Sequence, residues 1–227
     1  MEEQTSSKFL VPGAIVLAGA LVALAIYAGG TSGVKNVSPD TVASAKVAPI
    51  TDKDHFRGSR NAELTIVEYS DTECPFCKVF HNTMKQVTAT YGTKVAWVYR
   101  HFPISQLHSK APKEAEATEC VAELGGEQAF WNYLDNIFTA TNSNDSLDPA
   151  QLPKLAVALG VNENSFNTCL SSGRYVKKIQ DSVAEAIKAG ARGTPYSVII
   201  SKDGTQTVIN GAEPIANVKA KIDSLLK

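Results

Sequence analysis

The apolar run Leu64-Thr65-Ile66-Val67-Glu68-Tyr69 leads into Cys74-Pro75-Phe76-Cys77, and Lys78-Val79-Phe80 follows at once. That order demands a strand, a tight turn and a helix start in succession, so two thiols must sit where a helix begins. Proline suits the first helical position, because its missing N–H would have had no partner there anyway. The unpaired N–H groups and positive dipole end of a helix start favour a thiolate on the first cysteine. Cys74 is therefore the candidate nucleophile, expected to face solvent, and Cys77 the shielded resolving partner. Paired cysteines also bind zinc or copper and attach haem. Lys78 stands where ordinary haem attachment needs histidine, and no second CxxC follows to complete a tetrahedral zinc site. A copper- or zinc-binding chaperone stays open as the rival from another class.

The first 34 residues are a different material. Phe9 to Ala28 is a run of 20 residues without a charge, preceded by a short stub, residues 1–8, that ends in Lys8. At ~1.5 Å per residue such a run covers the ~30 Å hydrocarbon layer of a bilayer, long for a signal-peptide core. The expectation is an uncleaved transmembrane anchor. A cleaved secretory signal is the competing reading, since Ala23-Leu24-Ala25 offers a small-x-small site. Residues 29–48, rich in Gly, Ser, Thr and Pro, read as a flexible tether. Residues 49–227 fit one domain of the usual ~100–200 residues. Both readings of the apolar run send that domain across the membrane, and a dithiol pair with two further cysteines fits an oxidising, extracytoplasmic compartment. A net charge of −1 gives no basic surface for nucleic acid.

Within the domain, Leu64 to Ser70 reads as a buried strand. Apolar residues Phe76, Val79, Phe80, Met84 and Val87 recur at helical spacing up to Gly92, and Lys94 to Phe102 reads as a second strand. A helical block follows, about residues 104–190: Ser109 to Leu124 stopped by Gly125-Gly126, Glu127 to Ala140, a segment opened by Asp148-Pro149 and ended by Gly160, then Glu163 to Leu170 and Tyr175 to Ala189. Tyr196 to Ser201 and Gln206 to Asn210 alternate about the turn Lys202-Asp203-Gly204 as a hairpin, and Pro214 to Leu226 is a last helix. The predicted class is α/β: a mixed central sheet flanked by helices, with an inserted helical subdomain.

The order strand, CPFC, helix, strand, helical insertion, then Arg192-Gly193-Thr194-Pro195 leading into a hairpin, resembles the DsbA-like thiol-disulfide oxidoreductases of the thioredoxin fold. Tyr69-Ser70-Asp71 before CPFC and Arg100-His101-Phe102-Pro103 after the second strand make the likeness closest to membrane-tethered bacterial members. The resemblance implies a nucleophile at Cys74 and a buried partner at Cys77. It also implies a cis-proline at Pro195, which with Thr194, Pro75 and Phe76 would meet an extended substrate. Finally, it implies an acidic residue beneath the site at Glu68. Read from the strand alone, Glu68 is either a charge at its solvent end or a partly buried carboxylate that takes the resolving thiol's proton. One departure is physical: the strongest oxidants of this kind carry histidine in the dipeptide, where Phe76 offers Cys74 neither cation nor donor.

The family likeness implies a protein disulfide oxidoreductase, most simply a dithiol oxidase for exported proteins, reoxidised by a quinone-linked membrane partner. It needs no metal or organic cofactor and acts as a monomer. The same site run as a reductase or disulfide isomerase is the nearest alternative. Cys120 and Cys169 lie in separate helical segments. An even cysteine count and the family's habit favour a bridge between them, with buried free thiols as the alternative. His55, His81, His101 and His108 show no metal spacing and read as surface or capping residues. Asn142 to Asp148 lacks the central glycine of a calcium loop and reads as a polar turn.

Overall fold

The structure, a computed structural model, describes residues 47–226. The stub, the Phe9–Ala28 anchor and nearly all of the tether lie outside the described residues. Among the described residues no helix is long and apolar enough to cross a membrane.

Five strands form one mixed sheet in the order β1-β3-β2-β4-β5: β1 (His55–Arg57), β2 (Leu64–Ser70), β3 (Val95–His101), β4 (Tyr196–Ser201) and β5 (Gln206–Asn210). β2 runs parallel to β3, and the other pairs are antiparallel. The β4–β5 hairpin has the limits its alternation predicts. β1 was not foreseen, because three residues, HFR, carry no pattern; its strand character comes from pairing with Trp97 to Tyr99.

Helix α1 (Pro75–Tyr91) begins with proline and is stopped by Gly92, whose φ of 55° a side chain would strain. Period-2 alternation sends Leu64, Ile66 and Glu68 of β2 toward α1 and Val67 and Tyr69 to the opposite face. On the α1 side, Leu64, Ile66, Phe80, Met84, Val87, Trp97 and Ile199 share one core. On the other side, Val67, Tyr69, Val98 and Tyr196 pack with Ala186 of α5 (Val176–Lys188) and with Ala189 just past its end. The last helix, α6 (Ile215–Leu225), closes the α1 side through Val218 and Ile222.

The insertion is dominated by α2 (Ala111–Ala140), which breaks at Gly126 (φ 78°, ψ −175°) where the Gly-Gly pair signals a stop. A Cβ on Gly125 would stand 2.7 Å from that of Ala129, so the close turn needs glycine there. The second half of α2 sets Phe130, Trp131 and Leu134 on the sheet. The first half packs Ala117, Cys120 and Val121 against Leu152 of α3 (Gln151–Val157) and Phe166 and Cys169 of α4 (Glu163–Ser172). Asp148-Pro149 forms a turn ahead of α3 and is not its first helical turn: the Gln151 N–H bonds to the Asp148 carbonyl at 2.8 Å.

Two expectations are corrected at the edge of the domain. Ala48, assigned to the tether, is fixed: its N–H donates to Glu185 at 3.0 Å and its carbonyl accepts from Arg100 at 3.2 Å. The four histidines are all buried. His55 stacks on Phe130 between Glu119 and Glu127, His81 meets Asp135 at 2.6 Å, and His101 meets Glu119 at 3.1 Å. The carboxylate partners of these three rings come from α2 and that of His108 is Asp71, none of them adjacent in sequence, which is why local reading placed the rings on the surface.

Cys120 and Cys169 are joined by a disulfide across 49 residues of sequence, tying the first half of α2 to α4. Closing a loop of that size restricts the unfolded chain by an amount worth ~2–4 kcal/mol. The Cys120→Ala/Cys169→Ala double variant should lose that much stability in denaturant melts while its Cys74 reactivity stays that of the wild type. Unchanged stability would contradict this account.

Candidate active site

Cys74 is the residue just before α1, with extended backbone (φ −78°, ψ 122°), and Pro75 opens the helix. The turn that delivers it is built on Asp71. The Asp71 carbonyl accepts the Cys74 N–H at 3.2 Å, and its own N–H points at Cys77 Sγ at 3.4 Å. One Asp71 carboxylate oxygen accepts the Glu73 N–H at 2.8 Å, and the other accepts the Ile104 N–H at 2.7 Å and faces His108 Nδ1 at 2.9 Å.

Both cysteines are free thiols, and their surroundings differ. Cys77 is wholly buried, and burial pushes its thiol well up, helped by the neighbouring Cys74 and the charge of Glu68. Cys74 is drawn down to about 6, first by the hydrogen bond from the Cys77 thiol. Burial opposes that shift, while the Thr194 side chain and the N–H groups of Cys77 and Phe76 add to it. Cys74 does not face solvent as expected; only 5 % of it is exposed, because the Thr194–Pro195 segment covers it. The Thr194–Pro195 peptide bond is cis, and the Thr194 carbonyl lies 3.4 Å from Cys74 Sγ, where it accepts the thiol proton. Phe76 is 64 % exposed beside it, with Val79 also exposed one turn on. The structure thus brings together Cys74, Cys77, Pro75, Phe76, Thr194 and Pro195.

Glu68 lies on the same face of β2 as the α1 core and is completely buried, so the reading of a charge at the strand's solvent end does not apply. Burial raises its carboxyl to about 7; the nearby Ser70 hydroxyl and Trp97 N–H offset part of this and the Cys74 charge adds to it. Neither carboxylate oxygen meets hydrogen-bond geometry with another described residue. A proton is therefore exchangeable at Glu68 near neutral pH, beneath both sulfurs.

Sequence reasoning missed the carboxylates that hold the turn. Glu73, fully buried, accepts from Thr141 Oγ1 at 2.8 Å and from the N–H groups of Leu147 at 3.0 Å and Ser146 at 3.3 Å, and its carbonyl accepts the Asn144 N–H at 2.7 Å. The Asn142 to Asp148 segment is thus a strap folded over the residue before Cys74, and Ser143, Asn144 and Asp145 adopt φ of 69°, 56° and 62° to follow it. Glu114, at the start of α2, bonds Thr72 Oγ1 at 2.6 Å, and burial lifts its carboxyl to about 8, with Glu73 adding to the rise. The one sequence sign was the acidity of Asp71-Thr72-Glu73 ahead of an otherwise apolar site. Among the described residues no cluster of three or more His, Cys, Asp or Glu side chains is arranged to hold a metal ion.

A dithiol split this way at a helix start, on a mixed sheet and under a cis-proline, defines a thiol-disulfide oxidoreductase of the thioredoxin fold. The sequence pattern of the family described as thioredoxin matches residues 50–223, and the chain belongs to that family, in its DsbA-like branch of protein disulfide oxidoreductases. The structure is similar to DsbA2 of Pseudomonas aeruginosa (TM-score 0.67, 27% identity, covering 78% of this chain and 97% of that one). It also shares its fold with oxidised BdbD of Bacillus subtilis (TM-score 0.68, 19% identity, 81% and 98%). A curated relative in Salinispora tropica, named Na(+)/H(+) antiporter NhaA 3, is 36% identical over 144 residues, 63% of this chain; the chain spans about a fifth (21%) of that relative's length.

The folded state binds the Glu68 proton more tightly than the unfolded chain does, because its carboxyl is raised to about 7 from an ordinary 4.5. The stability this gives is present below pH ~4, is lost as pH rises toward 7, and is then a constant deficit on the order of 3 kcal/mol at ~1.4 kcal/mol per unit. Glu68→Gln should therefore match the wild type in stability at pH 4, exceed it at pH 8, and exchange disulfides more slowly. A variant less stable than wild type at pH 8 would contradict this.

Proposed function

We propose that the protein is a dithiol oxidase that introduces disulfides into exported proteins through the Cys74–Cys77 pair. The observation that carries this is the place of the Cys74 sulfur, at the N-terminal end of α1 under the cis-proline segment, where the Cys77 thiol and the N–H groups of Cys77 and Phe76 draw its pKa down to about 6. A stabilised Cys74 thiolate stabilises the reduced enzyme, and a pair whose reduced form is favoured is an oxidant. In the oxidised enzyme a substrate thiolate attacks Cys74 Sγ, the Cys74–Cys77 bond breaks, and the Cys77 sulfur leaves with the electron pair. Glu68, protonated up to about pH 7, supplies that sulfur's proton. A second substrate thiolate then attacks the substrate sulfur of the mixed disulfide and releases Cys74 as a thiolate. Two electrons pass from substrate to enzyme.

Thr194 and Pro195 bind an extended substrate next to Cys74 in this reading, with Pro75 and the exposed Phe76 as the apolar contact on the other side. The domain that begins with the fixed Ala48 is the catalytic one, held outside the cytoplasm by the Phe9–Ala28 anchor and the tether that precedes Ala48. A quinone-linked membrane protein reoxidises the pair. No metal or organic cofactor takes part. The ion transport in the antiporter relative's name is not assigned to this chain.

The reduction potential decides the direction of the chemistry. Equilibration with glutathione should place the pair above about −180 mV, on the oxidising side of the known range, and Cys77→Ala should accumulate mixed disulfides with client proteins. A potential near about −270 mV would make the protein a reductase, and trapping by Cys74→Ala in place of Cys77→Ala would reverse the roles of the two thiols.

A further inference from the structure

His108 lies between β3 and α2, was expected at the surface, and has no part in the exchange steps above. It is 5 % exposed. Backbone bonds hold it on both sides: its N–H donates to the Ile104 carbonyl at 2.9 Å and its carbonyl accepts the Ala111 N–H at 3.3 Å. The ring therefore stays on Asp71, with Nδ1 2.9 Å from Oδ2. Asp71 is in turn bonded to the backbone of Cys74 and faces the sulfur of Cys77. One residue thus joins the imidazole to both redox cysteines.

A carboxylate at Asp71, three residues before Cys74 and bonded into the same turn, opposes a thiolate on Cys74. Nothing in the CPFC dipeptide answers it, since Phe76 carries no charge. Nearby cations are engaged elsewhere: Lys110 Nζ with the carbonyls of Asp145 and Leu147, and Lys78 Nζ with that of Thr141.

We propose that His108 is a positioning residue that keeps a proton on the Asp71 carboxylate's partner ring, cancels that carboxylate's charge, and so allows the active-site turn to carry a Cys74 thiolate. The inference rests on the dithiol-oxidoreductase reading and deepens it: the cation that other oxidants place inside the dipeptide is here supplied from the segment after β3.

The charges that face the ring agree with this. Burial alone would lower its pKa, but the Asp71 hydrogen bond and charge raise it, with further increments from Cys74 at the start of α1 and Asp145 on the strap. Burial raises the Glu114 carboxyl on α2 to about 8, which reduces its charge near neutral pH. Linkage makes the coupling reciprocal: if the imidazolium favours the thiolate, the thiolate must favour the imidazolium.

The test uses His108→Gln, which keeps a hydrogen-bond donor and removes the charge. In the reduced variant, the Cys74 pKa read from thiolate absorbance should rise by about half a unit, scaled down from the ~1–3 units of a close opposite charge. The equilibrium constant for reduction by glutathione should fall about threefold, ~14 mV at ~30 mV per tenfold. Adding Asp71→Asn removes the opposing charge and should return the Cys74 pKa toward the wild-type value, a rescue that a purely structural role would not give. In the unmutated protein, the His108 imidazole pKa followed by NMR should be higher in the dithiol form than in the disulfide form, a measurement independent of how the variants fold. Normal glutathione exchange with an unmoved Cys74 pKa in His108→Gln, or equal His108 pKa values in the two redox forms, overturns the tuning role alone. A wild-type protein that does not exchange with glutathione at all overturns the oxidoreductase reading and this role with it.

Discussion

The two sulfurs of one short turn differ because the N-terminal end of α1 meets only one of them. Cys74 stands where unpaired backbone N–H groups point outward, while Cys77, one turn further in, is sealed against the α1 core. The hydrogen bond between the thiols amplifies the inequality, since the proton Cys77 holds is directed at Cys74. Everything else at the site maintains that arrangement. Asp71 fixes the entry of the turn, Glu73 anchors the preceding residue to the strap, and the Thr194–Pro195 segment closes the outer side.

This arrangement depends on buried carboxylates, which is costly in an apolar interior unless each is neutralised or hydrogen-bonded. The protein uses both remedies. Asp71 and Glu73 take backbone N–H bonds, and Asp71 has His108 as well. Glu68 and Glu114 instead hold their protons into the neutral range. The group without hydrogen bonds, Glu68, is the one beneath the sulfurs, where an exchangeable proton is useful. The helical insertion therefore does more than cover the sheet, since α2 and the strap after it supply Glu114, Thr141 and the N–H groups that satisfy Glu73.

Much of this was legible in the residues where the signal is local. CPFC after an apolar strand marks the redox turn, the Gly125-Gly126 pair marks the break in α2, and the alternation around Lys202-Asp203-Gly204 gives the hairpin its limits. What was not legible depends on partners far apart in sequence. The burial of His55, His81 and His101 is intelligible only once α2 carries Glu119 and Asp135 across the sheet. The strap looked like a polar turn because its acceptor, Glu73, is 68 residues away from Thr141. Cys74 looked solvent-facing because the segment covering it, Thr194–Pro195, arrives 120 residues later.

The inequality of the two thiols is the claim on which the rest stands, and alkylation of the fully reduced protein across pH tests it most directly. Quenched labelling read by peptide mass spectrometry should show Cys74 modified first, with a rate that rises through pH about 6, and Cys77 unreactive throughout the neutral range. Equal labelling of both cysteines, or a Cys74 rate that rises only near an ordinary thiol's pKa of ~8.5, would contradict the account.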